Sequence, residues 1–284
     1  MSTRGGIVIT GASTGIGRSS ALALDREGFR IFAGVRRAAD GEALRAKASE
    51  RLTPLPLDVT RADEIAAAVE AVGERLDDLP LEGLFNNAGV TINGPLEFLP
   101  LDELRRQLEV NLIGQLAVTQ AFLPLLRSSR GRIVNTGSVS GLLAIPALGP
   151  YCMSKFALEA FSDTLRLELR PWGIRVIHLQ PGQIATPIWD KGLEAGSDAV
   201  ANLPEEVVAL YGPLLAATRA VAETSRREAK PVATVSRAVV HAFTARRPRR
   251  RYVMGGSAWT QKVIARLPTA WRDTLLAKSL GLPG

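Results

Sequence analysis

Cysteine is almost absent from this 284-residue chain, with Cys152 the only one. An internal disulfide is therefore excluded, and a reducing compartment is the natural setting, with the cytoplasm the expected location. Histidine is nearly as scarce. His178 falls in a strand-like run and His241 in a late helical pattern, so the two offer no metal-ligand cluster and no metal is expected. No apolar run approaches the roughly 20 residues that span a bilayer. The opening "MSTRGGIVIT" passes almost directly into an apolar strand and shows no signal-peptide pattern. Nothing in these features argues for secretion or membrane insertion.

What is present is an ordinary globular composition, with 46% hydrophobic and 22% charged residues and a net charge of +7. Part of the positive charge sits in "RRPRRR" (246–251). Such a run invites a nucleic-acid reading. Nucleic-acid surfaces add aromatic platforms or a known binding module, and neither lies near this run. It reads instead as a solvated loop leading into the strand "YVMGG", and no nucleic acid is expected as partner.

Short apolar runs alternate with longer helical patterns. Strands are expected at 6–10, 29–35, 52–57, 81–86, 131–138 and 174–180, with a seventh at "RYVMG". Helices are expected at about 15–27, 61–76, 101–127, 151–170 and 231–245. Continuous apolar strands separated by helices indicate βαβ units and a parallel sheet covered on both faces. The right-handed crossover rule makes that a doubly wound α/β fold of the Rossmann type with a seven-stranded sheet. The alternation stops at 183–230, a long insertion containing Trp189, Leu193, Leu203, Leu210 and Tyr211. One domain over 1–284 is expected: a nucleotide-binding part at about 5–182, the insertion as a lid, and a C-terminal part at 231–284.

"TGASTGIG" (10–17) places Gly11, Gly15 and Gly17 directly after a strand and at the start of a helix. Gly11 lets the chain turn sharply, Gly15 lets the backbone approach a diphosphate, and Gly17 lets helix and sheet pack closely. The helix N-terminus then offers free N–H groups and a positive dipole end to phosphate. At the end of the second strand, in "AGVRR", Val35 stands where an acidic residue would accept a ribose hydroxyl, and Arg36 and Arg37 follow. A 2′-phosphate favours a guanidinium there, so NADP(H) is expected over NAD(H). The alternative is that both arginines merely solvate a strand end. Asp58 is placed to meet the adenine edge.

Tyr151 and Lys155, in "YCMSK", lie four residues apart on one helix face. A phenol with a reference pKa of about 10 is a poor proton shuttle near neutrality, and a neighbouring ammonium would lower it. Taken with "TGASTGIG", "NNAG" (86–89), Asn111, Ser138, and Pro181-Gly182 with Thr186, these residues resemble the short-chain dehydrogenase/reductase family over about 5–190. The segment "GPYCMSKFALEAFSDTLRLELRPWGIRV" is similar to the branch of hydroxysteroid, retinol and hydroxybutyrate dehydrogenases. The resemblance implies that Tyr151 is the general acid/base and that Lys155 activates it and holds the nicotinamide ribose. Ser138 would bond the substrate oxygen, and Asn111 would hold a relay water. It implies a cofactor lined by Gly11, Ser13, Thr14, Gly15, Ile16, Gly17, Asp58, Val59, Asn87, Ala88, Gly89, Pro181, Gly182, Ile184 and Thr186. Cys152 reads as a packing thiol.

The expected activity is NADP(H)-dependent interconversion of a carbonyl and an alcohol on an apolar, steroid-, retinoid- or polyketide-like molecule. A small β-keto acid or ester reductase and a non-catalytic NADP(H)-binding sensor are the alternatives. A homodimer or homotetramer is the family expectation. The basic tail from about 258, with Trp259 and Trp271, could touch a membrane surface, although packing against the core or a second subunit suits it better because Pro268 interrupts the pattern.

Overall fold

The computed structural model describes residues 4–189 and 205–282. Seven parallel strands run β1 (Arg4–Ile9), β2 (Phe29–Val35), β3 (Leu52–Pro56), β4 (Leu81–Asn86), β5 (Arg132–Thr136), β6 (Arg175–Pro181) and β7 (Arg251–Met254), and they lie side by side in the order 3-2-1-4-5-6-7. The order reverses between β1 and β4, which is where open α/β sheets leave a crevice at their carboxyl edge.

Alternate side chains build two cores. Ile7 and Ile9 of β1 join Phe85, Ile177 and Leu179 on one face. That face is covered by α1 (Gly15–Arg26), α2 (Ala38–Arg45) and a later helix, Ala233–Thr244. Val8, Phe32, Leu84 and Ile133 point the other way, against α3 (Ala62–Arg75), α5 (Gly114–Ser129) and α6 (Gly149–Glu168). Each fully buried Leu, Ile or Phe contributes about 1.5–3 kcal/mol, so a strand slipped by one residue would lose both layers at once.

The expected helix at 101–127 has an internal irregularity. α4 (Leu101–Leu108) passes into a π turn at Glu109–Ile113, where the Gly114 N–H bonds Glu109 O, and α5 follows. By length and composition alone, Leu101–Ser129 suffices to cross a membrane, unlike the expectation from apolar runs. The helix qualifies by its mean hydropathy, in which polar residues such as Gln115 and Thr119 interrupt the apolar run without cancelling it, and both of these are fully buried. Thr119 accepts from Asn86 at 2.9 Å, and Gln115 donates to Ala88 O at 3.3 Å.

Beyond β6, α7 (Glu205–Arg227) carries the end of the insertion, and α8 (Ala233–Thr244) leads through the basic run to β7. Leu193 and Leu203 lie outside the described residues. Two short helices, α9 (Ala258–Ile264) and α10 (Thr269–Ser279), form the tail, parted at Pro268. Ala258 and Leu280 anchor it, but Trp259 and Trp271 are 63% and 67% exposed. Neither indole therefore packs onto the core of its own chain, which leaves both faces open to a second subunit or another surface.

Candidate active site

Six of the motifs read from sequence converge because each follows the carboxyl end of a parallel strand. The glycine turn follows β1, Arg36 follows β2, Asp58 follows β3, Asn87 follows β4, Ser138 follows β5, and Gly182 follows β6. A Cβ on Gly11 would stand 2.8 Å from Ala88 Cα, and one on Gly17 would stand 2.2 Å from Gly11 O, so both sites are closed by backbone. Gly11 and Gly15 also hold left-handed φ values of 64° and 52°, which side chains disfavour. Gly15 faces only the side chains of Thr186 and Pro187, 3.4 and 3.6 Å from where its Cβ would be.

Asn87 and Ala88 hold this turn in place. Their N–H groups both donate to Thr10 Oγ1 at 2.9 Å, and Asn87 Nδ2 donates to Thr10 O and Gly11 O at 3.1 Å. No side chain caps the amides that open α1, and no acidic residue lies in its first turn. Free amide donors with no competing carboxylate fit a diphosphate, so these residues suit a dinucleotide. Ser13 and Thr14 border that end, whereas Ile16 packs into the core.

The residues at the adenosine end differ in availability. Arg36 is exposed with no side-chain partner among the described residues. Arg37 is equally exposed, but Asp40 holds its guanidinium by two bonds of 2.8 Å and raises its pKa, first through hydrogen bonding and then through charge. Asp58 spends Oδ1 on Thr60 N and Oγ1, at 3.0 and 2.8 Å. Val59 and Ile184 are 4% and 3% exposed, so only their main chains can face a ligand. Gly182 N–H is committed to Met254 O, and Thr186 Oγ1 donates to Ile184 O at 3.4 Å.

Pro150 opens α6, where its missing N–H costs nothing, and the next residue is Tyr151. Its hydroxyl faces the Ser138 side chain, which favours the ionised phenol. Ser138 is itself fixed at the start of a short turn, accepting from Ser140 N at 3.1 Å and donating to Pro181 O at 3.5 Å. One turn on, Lys155 is 4% exposed and its Nζ donates to Thr136 O at 2.8 Å. Burial pushes the Lys155 ammonium down to about 8.

Burial also pushes Tyr151 up to about 12, outweighing the neighbouring Ser138 side chain, which lowers it. This corrects the expectation of a lowered phenol. The ammonium lies 5.5 Å from the ring centroid and bonds a carbonyl instead of the hydroxyl, so desolvation wins.

Asn111 sits within the π turn, fully buried. Its Oδ1 accepts from Val90 N at 2.8 Å, while Nδ2 donates to Val90 O at 3.0 Å and Ser154 Oγ at 3.1 Å. Gly89 lies against the same amide. Cys152 is buried with its thiol raised by burial, and it points to Leu143 O. The structure thus gathers Ser138, Tyr151 and Lys155 tightly, with Asn111 behind them through Ser154.

Behind α6 lies a polar chain that sequence reasoning missed. Asn86 bonds Asn135, Asn135 bonds Ser162, and Ser162 Oγ meets His178 Nδ1 at 2.7 Å. His178 Nε2 stands 2.9 Å from Glu159 Oε1. Gln180 donates to the same oxygen at 2.5 Å, and Arg251 grips Glu159 Oε2 at 2.9 and 3.1 Å and Asp163 at 2.6 Å. Burial raises Glu159, but the bonds from His178, Gln180 and Arg251 bring it below its usual range. One arginine of the basic run is therefore structural. Among the described residues no cluster of three metal-ligating side chains occurs.

A comparison with known proteins agrees with this geometry. The family model for short chain dehydrogenases matches residues 6–195. Retinol dehydrogenase 5 of Mus musculus is 39% identical over 98% of this chain and 89% of its own length, and that of Homo sapiens is 40% identical with the same coverage. A 3-amino-tetrahydro-pyrrolizinone reductase of Xenorhabdus hominickii is 42% identical over 74% of this chain and 72% of its own. A solved short-chain dehydrogenase from Streptomyces avermitilis superposes with a TM-score of 0.76 at 27% identity, covering 98% of this chain and 95% of that one. A glycine turn with free helix amides, a Tyr-Lys pair beside a serine, and matches of this length make the chain a member of the short-chain dehydrogenase family of nicotinamide-dependent oxidoreductases.

Proposed function

We propose that the protein interconverts a carbonyl and an alcohol on an apolar substrate, with Tyr151 as proton donor and acceptor and NADP(H) preferred over NAD(H). The observation that carries the reading is the Tyr151 hydroxyl facing Ser138, with the Lys155 ammonium one turn behind it. The nicotinamide, when bound, supplies or accepts the hydride. Tyr151 then gives its proton to the substrate oxygen in reduction, and Ser138 donates to the same oxygen as charge develops there. With its phenol at about 12, Tyr151 keeps its proton at neutral pH, as a donor for reduction must. In this reading Lys155 holds the nicotinamide ribose, and Arg36, exposed and unpaired among the described residues, takes a 2′-phosphate. Both N–H groups of the Asn111 amide are spent, so its part in a water relay falls to its oxygen or main chain.

The retinol dehydrogenases' similarity along nearly the full chain favours a retinoid-like substrate. The lid reading of 183–230 is supported by α7, where Tyr211 donates to Glu97 at 2.7 Å and stacks edge-on with Phe98 at 5.9 Å. That contact links the insertion to the chain between β4 and α4, on the substrate side. Exposed Ile113, Leu116, Met153 and Phe156 on the two long helices support a homo-oligomer. A second reading, reduction of a small ring carbonyl, rests on the pyrrolizinone reductase.

The test is to follow NADPH oxidation with retinal, steroid ketones, decalones, acetoacetyl esters and small cyclic ketones, with NADH and Tyr151→Phe alongside. The reading requires turnover of an apolar class with NADPH and a loss of about 10²-fold or more in the variant. Undiminished turnover by Tyr151→Phe overturns it, and faster turnover with NADH overturns the cofactor preference.

A further inference from the structure

At the opposite edge of the sheet, where β5 and β6 begin, the ends of α5 and α6 frame a cleft of about 560 Å³. Three arginines line it, Arg127, Arg130 and Arg170, together with Trp172, and no carboxylate does. Among the described residues these guanidinium groups form no ion pair and donate no hydrogen bond. The one interaction is the stacking of Arg127 over Trp172, with Cζ 4.8 Å from the ring.

The ordinary explanation would be that the arginines cap two helix C-termini, but the backbone already does so. Gly131 N–H bonds Leu126 O, Arg130 N–H bonds Arg127 O, and Gly173 N–H bonds Arg170 O. Each helix end carries about half a negative charge, so two of them offset only about one of the three positive charges. The surplus is about two.

Arg130 gives a second, independent sign. It holds a left-handed backbone, φ 54° and ψ 41°, at the cap of α5. Glycine is preferred in that position, since an L side chain there costs about 1–2 kcal/mol. The cost is retained for a side chain whose guanidinium makes no hydrogen bond or ion pair among the described residues. Gly173, also left-handed, leaves room for it, with Arg130 Cδ 3.5 Å from where a Cβ would stand.

We propose that this cleft is a phosphate-binding site, remote from the catalytic edge, in which the three guanidinium groups take the oxyanion and Trp172 packs beside its organic portion. Phosphate fits better than a single carboxylate because two surplus charges match a dianion, and guanidinium binds phosphate through paired bonds. The phosphate could be carried by a soluble ester or by a lipid headgroup.

The test titrates inorganic pyrophosphate into the full chain at low salt and follows the fluorescence of Trp172, identified by its loss in Trp172→Phe. Arg130→Gly and Arg170→Gln are titrated in parallel. Phosphate at the glycine turn is common to all these proteins and does not report through Trp172. The expected result is a saturable Trp172 response weakened about tenfold or more in each arginine variant. Arg130→Gly should melt no lower than the parent, which separates lost binding from lost folding. Co-sedimentation with phosphatidylcholine vesicles, with and without phosphatidic acid, separates the two sources. Acid-dependent binding lost in Arg130→Gly assigns a headgroup, and pyrophosphate binding alone assigns a soluble ester. A silent Trp172, or equal affinity in parent and arginine variants, overturns the proposal.

Discussion

Replacing Glu159 by glutamine preserves shape and removes one charge from the point where α6, β6 and β7 meet. In the native protein Oε1 takes His178 and Gln180, and Oε2 takes two bonds from Arg251. A glutamine must turn its NH2 toward one of these donor sets, and either choice loses a charge-assisted arrangement. Breaking a buried ion pair outright costs about 3–5 kcal/mol. Arg251, however, keeps its 2.6 Å bond to Asp163 and is 31% exposed, so the expected loss is nearer 2–3 kcal/mol. For a chain of this size that lowers the melting point by about 3–6 °C. The pH dependence has a definite sign. Glu159 is depressed in the folded protein, so its stabilisation is present above the unfolded value of about 4.3 and is lost as pH falls through the lower folded value. Calorimetry of both proteins at neutral pH and in acid checks this: the gap should be full at neutrality and close below about pH 4. Equal melting at neutrality, or a gap that widens in acid, refutes the reasoning.

Gly17→Ala drives a Cβ to 2.2 Å from Gly11 O; shifting that backbone should raise the KM for the dinucleotide more than tenfold and destabilise by about 1–3 kcal/mol, read by kinetics and melting. Lys155 is depressed to about 8, so the unfolded chain holds more protons between there and the ordinary lysine range, and the stability of the cofactor-free protein should rise with pH across that window. Lys155→Met should lack the rise in melts taken along that pH series. Tyr151, raised to about 12, contributes stability that is present below the ordinary phenol value and lost as pH climbs to the folded one, so Tyr151→Phe should lose less stability in strong base. Arg36→Ala should cut the NADPH-to-NADH preference about tenfold or more, and Arg37→Ala should cut it less because Asp40 already holds that side chain; equal effects in competition assays would refute this ranking.

What the sequence disclosed was whatever repeats locally. The alternation of Ile7 and Ile9 with Val8, the glycines of the first turn and the four-residue spacing of Tyr151 and Lys155 each encode their geometry within a few positions. The observed strand and helix ends lie within about two residues of those expected. The π turn at 109–113 has no comparable signature, since an i→i+5 bond depends on how Asn111 is held by Val90, 21 residues away. Nor could the phenol's direction be read from spacing, because proximity on a helix face does not say whether the ammonium bonds the hydroxyl or the Thr136 carbonyl.

The polar junction makes the reason plainest. Alone, Glu159 reads as a solvated helix position, His178 as an interruption in an apolar strand, and Arg251 as the last of a basic run. Arg251 meets Glu159 across 92 residues and Asp163 across 88. Only the parallel placing of β6 beside β7, with α6 laid over both, joins them. Once joined, they tie the turn after Lys155 to the residue before Pro181, so the two segments proposed to hold the nicotinamide are fixed to each other by a buried charge. Helix packing by apolar contact alone tolerates small slides, whereas a carboxylate gripped by three donors holds a distance. A Tyr-Lys pair needs that rigidity, and its source lies in residues that carry no catalytic motif.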